Sequence, residues 1–135
     1  MVVIDTNIII DTLRQTRVGT VWRQLFQKLS AEELAISVVS VQELYQGKSS
    51  AEGKKEKDLQ IAISLVEVLP YSYQEAVLAG KIVRESNYAV GFVDAAIAAT
   101  TILNNAQLVT LNPKDFMGIK DLQLFDLKTL PPSAR

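Results

Sequence analysis

An alternation of two periods governs the architecture open to this sequence. Short apolar runs of strand length are separated by longer stretches in which apolar residues recur at helical spacing. Val2-Val3-Ile4 is the first run and breaks off at Asp5-Thr6-Asn7. Residues 34–39 form the second and Val68-Leu69, closed by Pro70, the third. Residues 107–111 form the fourth, after which Asn112-Pro113 turns the chain. Residues 122–127 alternate in part and predict a last strand. Runs this short, with apolar residues side by side, suit strands covered on both faces.

Helices are predicted between them. Residues 8–13 begin one. The clearest runs from Val18, with Val21, Trp22, Leu25, Phe26 and Leu29 on one face and Arg23, Gln24, Gln27 and Lys28 opposite; this is the pattern of a helix packed on a core, with a partner interface as the alternative. Ser40-Val41-Gln42-Glu43 opens another helix, which ends near Gly47. Residues 48–58 mix lysines with acids and predict a solvated loop leading into a helix through residue 66. Ser72 and Glu75 have capping-box spacing for a helix reaching about Asn87. In that helix Ala76, Ala79, Gly80 and Val83 form a small-residue stripe suited to close packing. Gly91 marks a turn. Residues 93–103 are apolar almost all round, which predicts a central helix buried on most sides and ended by Asn104-Asn105.

Strands alternating with helices imply an α/β fold: a three-layer α/β/α sandwich with a mostly parallel central sheet. A length of 135 residues suits one domain, residues 1–135, with no repeat or linker and a short tail from Pro131. Sites in such sheets form in the crevice beyond the carboxyl ends of the strands.

That rule draws attention to the acids. Asp5 directly follows the first strand, Glu43 lies in the first turn after the second, Asp94 opens the apolar helix, and Asp115 follows the fourth strand. Each also has a structural explanation. Asp5 can cap a helix, Glu43 can complete a capping box begun by Ser40, Asp94 suits a helix dipole, and Asp115 suits a turn after Pro113. Together they are harder to explain that way. Three carboxylates about 6 Å apart repel pairwise by roughly 3 kcal/mol at an effective dielectric of about 20. A divalent cation resolves the conflict. The sequence has no histidine and no cysteine. Thiolate or imidazole zinc sites and His-dependent nucleophilic chemistry are therefore excluded, and Mg²⁺ or Mn²⁺ on oxygen ligands is the natural choice. Such an ion supports phosphodiester hydrolysis without a histidine. A net charge of −1 is not the footprint of a protein that binds duplex nucleic acid by charge alone. The missing cysteines, the lack of a long apolar segment and the lack of a signal-peptide start fit a cytoplasmic protein without a membrane span.

Four stretches carry a family resemblance. They are Val3-Ile4-Asp5-Thr6-Asn7, residues 36–47 from Ile36 through Gln42-Glu43-Leu44 to Gly47, residues 93–100 beginning Val93-Asp94-Ala95-Ala96, and residues 108–116 from Leu108-Val109-Thr110 through Asn112 and Asp115 to Phe116. Their order and spacing, over nearly the whole chain, resemble the PIN-domain family and, within it, the VapC-type toxins of toxin–antitoxin pairs. The resemblance implies that Asp5, Glu43 and Asp94 are the core metal-site acids, with Thr6 or Asn7 orienting them or their waters. Many members carry an aspartate where this chain has Asn112, two residues past Thr110. Asp115 is the candidate replacement, and one well-held ion, with a second arriving with substrate, is the expected arrangement.

The resemblance further implies endonucleolytic cleavage of single-stranded RNA by a metal-activated water, leaving a 5′-phosphate and a 3′-hydroxyl. Because the 2′-hydroxyl takes no part, DNA is not excluded. Arg14, Arg17, Lys48 and Lys81 are candidate phosphate contacts, with ordinary surface charge as the alternative. A homodimer and a small antitoxin whose tail covers the acidic crevice are also implied. A housekeeping nuclease and an inactive PIN-like binding module are the alternatives within the family. An aspartyl-nucleophile phosphatase needs an aspartate where Asn7 stands. A receiver-like domain needs an acidic pair and a mid-chain phosphoacceptor that the sequence lacks.

Overall fold

The computed structural model describes residues 1–14, 19–47 and 53–132. Its five strands are β1 (Val2–Ile4), β2 (Leu34–Ser37), β3 (Glu67–Leu69), β4 (Gln107–Val109) and β5 (Gln123–Leu124). They form one sheet in the order β3-β2-β1-β4-β5, and every neighbouring pair is parallel. The helices are α1 (Thr6–Arg14), α2 (Val21–Lys28), α3 (Val38–Gln46), α4 (Gly53–Ser64), α5 (Tyr73–Glu85) and α6 (Phe92–Leu103).

Strand alternation divides the core in two. Val3, Ala35 and Leu108 point to one face of the sheet and pack with α5 and α6 through Ala79, Ile82, Ala95, Ala98 and Ala99. Val2, Ile4, Leu34, Ile36 and Val109 point to the other and meet Ile8, Ile9, Trp22, Leu25, Leu44 and Leu59. Successive residues of one strand thus serve opposite layers, and both faces of the sheet are covered, as parallel sheets require. The four alanines of α6, Ala95, Ala96, Ala98 and Ala99, have no solvent exposure. Their short side chains let this helix lie close to the sheet, and a larger residue there would overpack it.

Several boundaries differ from those predicted. Residues Val38 and Val39 are helical, because Ser37 ends β2 and caps α3, its Oγ accepting from the Val39 N–H at 3.1 Å. Ser40 therefore does not open the helix. The polar segment is helical from Gly53 onward. Lys54, Lys55, Glu56 and Lys57 are good helix formers, and their charge reflects an exposed face rather than a loop. Residues 48–52 of the predicted loop lie outside the described residues, as do Val18 and the last three residues of the tail. The last strand shrinks to Gln123–Leu124, since Asp126 caps a 3₁₀ turn at Leu127–Thr129 with its side chain. The capping box of α5 is present, with the Ser72 N–H donating to Glu75 Oε1 at 3.2 Å. The small-residue stripe is not packed as a unit. Ala79 is buried, but Ala76 and Gly80 are exposed, because the inward face of α5 follows Glu75, Ala79 and Ile82.

Strand order places a reversal at the centre. From β1 the chain steps outward to β2 and β3, then returns past β1 to β4 and β5. A crevice at the carboxyl end of such a reversal is where α/β sheets place their sites.

Candidate active site

Asp5 is the first residue beyond β1, and its N–H donates to the Val109 carbonyl at 2.9 Å. The strand pairing of β1 with β4 thereby continues into the acid itself. The Asp5 side chain is 5% exposed. Thr110, the first residue beyond β4, donates its hydroxyl to Asp5 Oδ2 at 2.7 Å. The same Thr110 oxygen accepts the Asn112 N–H at 3.0 Å and the Asn7 amide at 3.4 Å. A hydroxyl has one proton and two lone pairs, so the rotor of Thr110 is set and its proton is committed to Asp5. Asn7 completes the clamp by accepting the Leu111 N–H at 3.4 Å through its Oδ1.

Thr6 divides its work between backbone and side chain. The Thr6 backbone N–H reaches the Asp5 carboxylate, while the Thr6 hydroxyl donates to Ser40 Oγ at 3.0 Å in the buried interior. Thr6 thus ties the start of α1 to α3, and it serves Asp5 through its backbone. Asn112 participates through its N–H, which any residue but proline could supply. Its exposed side chain makes no hydrogen bond to the acids.

Glu43 lies one turn beyond Ser40 on α3, in the second turn of that helix rather than the first. It is half-buried and lines a cavity of about 170 Å³ that Arg14 and Lys55 also line. Asp94 is the third residue of α6 and is half-buried. Asp115 is exposed on a 3₁₀ turn, Pro113–Phe116, that is held by the buried Phe116 and by the Asp115 N–H donating to the Asn112 carbonyl at 3.1 Å. Of the candidate phosphate contacts, Arg14 and Lys81 are exposed, and Arg17 and Lys48 lie outside the described residues.

Charge repulsion acts on Asp5 from Asp94 and Glu43, and on Asp94 from Asp115 and Glu43. Burial pushes the Asp5 carboxyl up from 3.8 to about 6, with repulsion from Asp94 and Glu43 adding to it and the Thr110 and Thr6 hydrogen bonds opposing it. Asp94 is raised by burial first, then by Asp115 and by Glu43. Asp115 acts on the cluster through Asp94, at its exposed side. Among the described residues, no three acids close into a ready-made metal cage. The donor set nonetheless fits a hard divalent cation: oxygens only, mutually repelling, and looser than an all-protein cage. Mg²⁺ characteristically keeps several waters and takes few carboxylates.

Sequence reasoning named the acids and counted Thr110 among the supporting residues, without its role as donor to Asp5, and missed Ser40 as the partner of Thr6. The contact of Thr6 with Ser40 spans 34 residues and that of Thr110 with Asp5 spans 105. For Thr110 the sequence signal was a hydroxyl residue directly after a strand.

The chain is similar to known proteins in sequence and in fold. The family description that matches is the PIN domain, over residues 2–120. A protein of Rickettsia bellii named Ribonuclease VapC is 29% identical over 130 residues, spanning 90% of this chain and 92% of its own. The fold is similar to that in the crystal structure of DNA-bound VapBC from Salmonella typhimurium, with a TM-score of 0.81 and 27% identity over 93% of this chain and 97% of that one. It is also similar to that in VapBC2 from Rickettsia felis bound to a fragment of promoter DNA, with a TM-score of 0.77 and 26% identity over 93% and 98%.

Proposed function

The chain belongs to the PIN-domain family, and on that premise we propose that it is a Mg²⁺- or Mn²⁺-dependent endoribonuclease, the toxin of a toxin–antitoxin pair. The observation that carries this reading is the buried Asp5, clamped by Thr110 and repelled by Asp94 and Glu43, with Asp115 acting in turn on Asp94. A structural carboxylate gains nothing from such company. A set of cation ligands needs it.

Asp5, Glu43 and Asp94 are the residues that would hold the ion, with Asp115 completing the acidic rim. When bound, the cation supplies charge to polarise a phosphoryl oxygen and to acidify a water. Thr110 keeps Asp5 in one orientation and lowers the cost of its ionised form. Asn7 fixes Thr110, and the pair joins the ends of β1 and β4 across the crevice. The substrate proposed is single-stranded RNA, cut to leave a 5′-phosphate and a 3′-hydroxyl. The chemistry spares the 2′-hydroxyl, so DNA is a control substrate. The relatives solved as VapBC complexes support a small antitoxin as partner. A homodimer and a cytoplasmic location complete the proposal. Among the described residues, no helix is long and apolar enough to cross a membrane.

The test is cleavage of a labelled single-stranded RNA by highly purified wild type and Asp94→Asn, with Mg²⁺, with Mn²⁺ and with EDTA. We expect metal-dependent cleavage by wild type and a loss of about 100-fold or more in the variant, the scale of a lost electrostatic stabiliser. Undiminished cleavage by Asp94→Asn with an intact fold would overturn the reading.

A further inference from the structure

Glu43 is a wall of the cavity of about 170 Å³ as well as a member of the acidic set. Three helices meet around this cavity. Ile10, Leu13 and Arg14 come from the second half of α1, the buried Leu44 follows Glu43 on α3, and Lys55 comes from α4. Ile10 and Leu13 pack on the core but are only partly covered by it, so apolar surface is left over on the cavity side. Gly47, where α3 ends, brings backbone and no side chain to the rim. An apolar cavity of roughly 150 Å³ admits one benzene ring, so this one has room for one planar ring system. Among its described lining residues two cations stand against one acid, and that acid is a residue that would be engaged by the metal ion.

We propose that this cavity holds the base of one nucleotide flanking the cleaved bond, with Arg14 as the contact for that nucleotide's phosphate. The proposal rests on the nuclease reading above and adds a substrate subsite to it. Because Glu43 belongs to both places, whatever fills the cavity adjoins the reacting phosphodiester. The lining asks for an occupant that is apolar and planar in one part and anionic in another. A nucleotide is both. An apolar side chain of a partner protein would match the Ile10, Leu13 and Leu44 walls but not the excess of cations beside them. A base can enter only if it is unpaired and turned out of its stack, which selects single-stranded substrate. Apolar walls read shape and stacking rather than hydrogen-bonding edges, so the subsite tolerates different bases.

The experiment combines cavity filling with abasic substitution. The cut in a labelled single-stranded RNA is mapped for wild type with Mg²⁺, and each nucleotide near it is replaced in turn by a tetrahydrofuran abasic residue, which keeps the phosphates. One position should raise the wild-type KM about tenfold or more, within the range one stacked base contributes. Leu13→Phe fills the cavity, and Ile10→Phe does so from the same helix, so that loss of fold in one, read by a thermal melt, leaves the other. The folded variant should raise KM for intact RNA about as much, with kcat within about threefold, and the abasic position should then cost it less than about twofold more, because two changes to one contact do not add. In Arg14→Gln the abasic penalty should persist, while the dependence of log Kd on log salt, followed by fluorescence anisotropy with Ca²⁺, should be shallower by about 0.7, the value of one single-strand phosphate contact. If wild type cleaves and no abasic position matters, the base pocket is overturned and the nuclease reading stands. A folded filling variant with wild-type KM, or with the full abasic penalty, would overturn it too and leave the cavity to a partner protein. So would an unchanged salt dependence in Arg14→Gln, since the apolar walls alone do not separate a base from a side chain. If wild type neither cleaves nor binds RNA, the nuclease reading and the subsite fall together.

Discussion

The two sides of the acidic crevice are built differently. On the inner side, Asp5 sits at the junction of two paired strands, buried and clamped by a hydroxyl whose three hydrogen-bonding positions are all used. On the outer side, Asp115 stands exposed on a short turn and reaches the cluster only through its charge on Asp94. The inner acid is set by the sheet and the outer acid by a loop anchored on Phe116. Precision at this site therefore comes from strand ends. That contrast accounts for an asparagine at position 112, since the backbone N–H serves Thr110 whatever side chain follows it.

Breaking the inner side should have the larger consequences. In the metal-free protein the folded state holds the Asp5 proton up to about pH 6, against 3.8 for the ordinary group. The folded state thus binds more protons than the unfolded state between these values, so stability from this group is complete below 3.8 and is lost as pH rises through about 6. At roughly 1.4 kcal/mol per pH unit the loss approaches about 3 kcal/mol at neutral pH. Asp5→Asn keeps an oxygen for Thr110 and removes the charge. Urea unfolding in EDTA should find the variant more stable than wild type at pH 8 and equal to it near pH 4. Equal stability at both pH values would show that Asp5 is not under strain.

Thr110→Val keeps the shape and removes the clamp. Activity should fall about 10- to 100-fold, as for loss of a group that orients metal ligands. The fold should lose about 1–3 kcal/mol, because the Asn112 N–H and the Asn7 amide lose an acceptor. Thr110→Ser should restore most of both, and a kinetic assay beside a thermal melt separates them. The outer side should respond least. Asp115→Asn should lower activity only several-fold and raise the metal concentration needed for half-maximal rate. A loss as large as that of Asp94→Asn would erase the distinction between the two sides.

The same division explains which features the sequence disclosed. Features local in sequence were recoverable: the apolar run ending at Asp5, the capping box of Ser72 and Glu75, and the all-round apolar helix bearing Asp94. Features decided by competition were not. Val38 and Val39 favour a strand by their β-branching, yet the Ser37 cap recruits them into α3. The lysines and acids from Gly53 to Asp58 look solvated and are, but on a helix. Contacts between distant residues, Thr6 with Ser40 and Thr110 with Asp5, have no local signature at all. Four acids at strand ends and helix starts were visible as positions. Their repulsion was anticipated from those positions, while the central reversal in the order β3-β2-β1-β4-β5, beside which Asp5 sits, was not.

The central claim is that Asp5, Glu43 and Asp94 converge to hold a divalent cation, with Asp115 at the margin. Calorimetric titration of Mn²⁺ into wild type, Asp5→Asn, Asp94→Asn and Asp115→Asn tests it without substrate. Saturable binding by wild type, abolished in the first two variants and merely weakened in the third, is the predicted result. Binding that survives unchanged in Asp5→Asn and Asp94→Asn, or is absent from the wild-type protein, would contradict it.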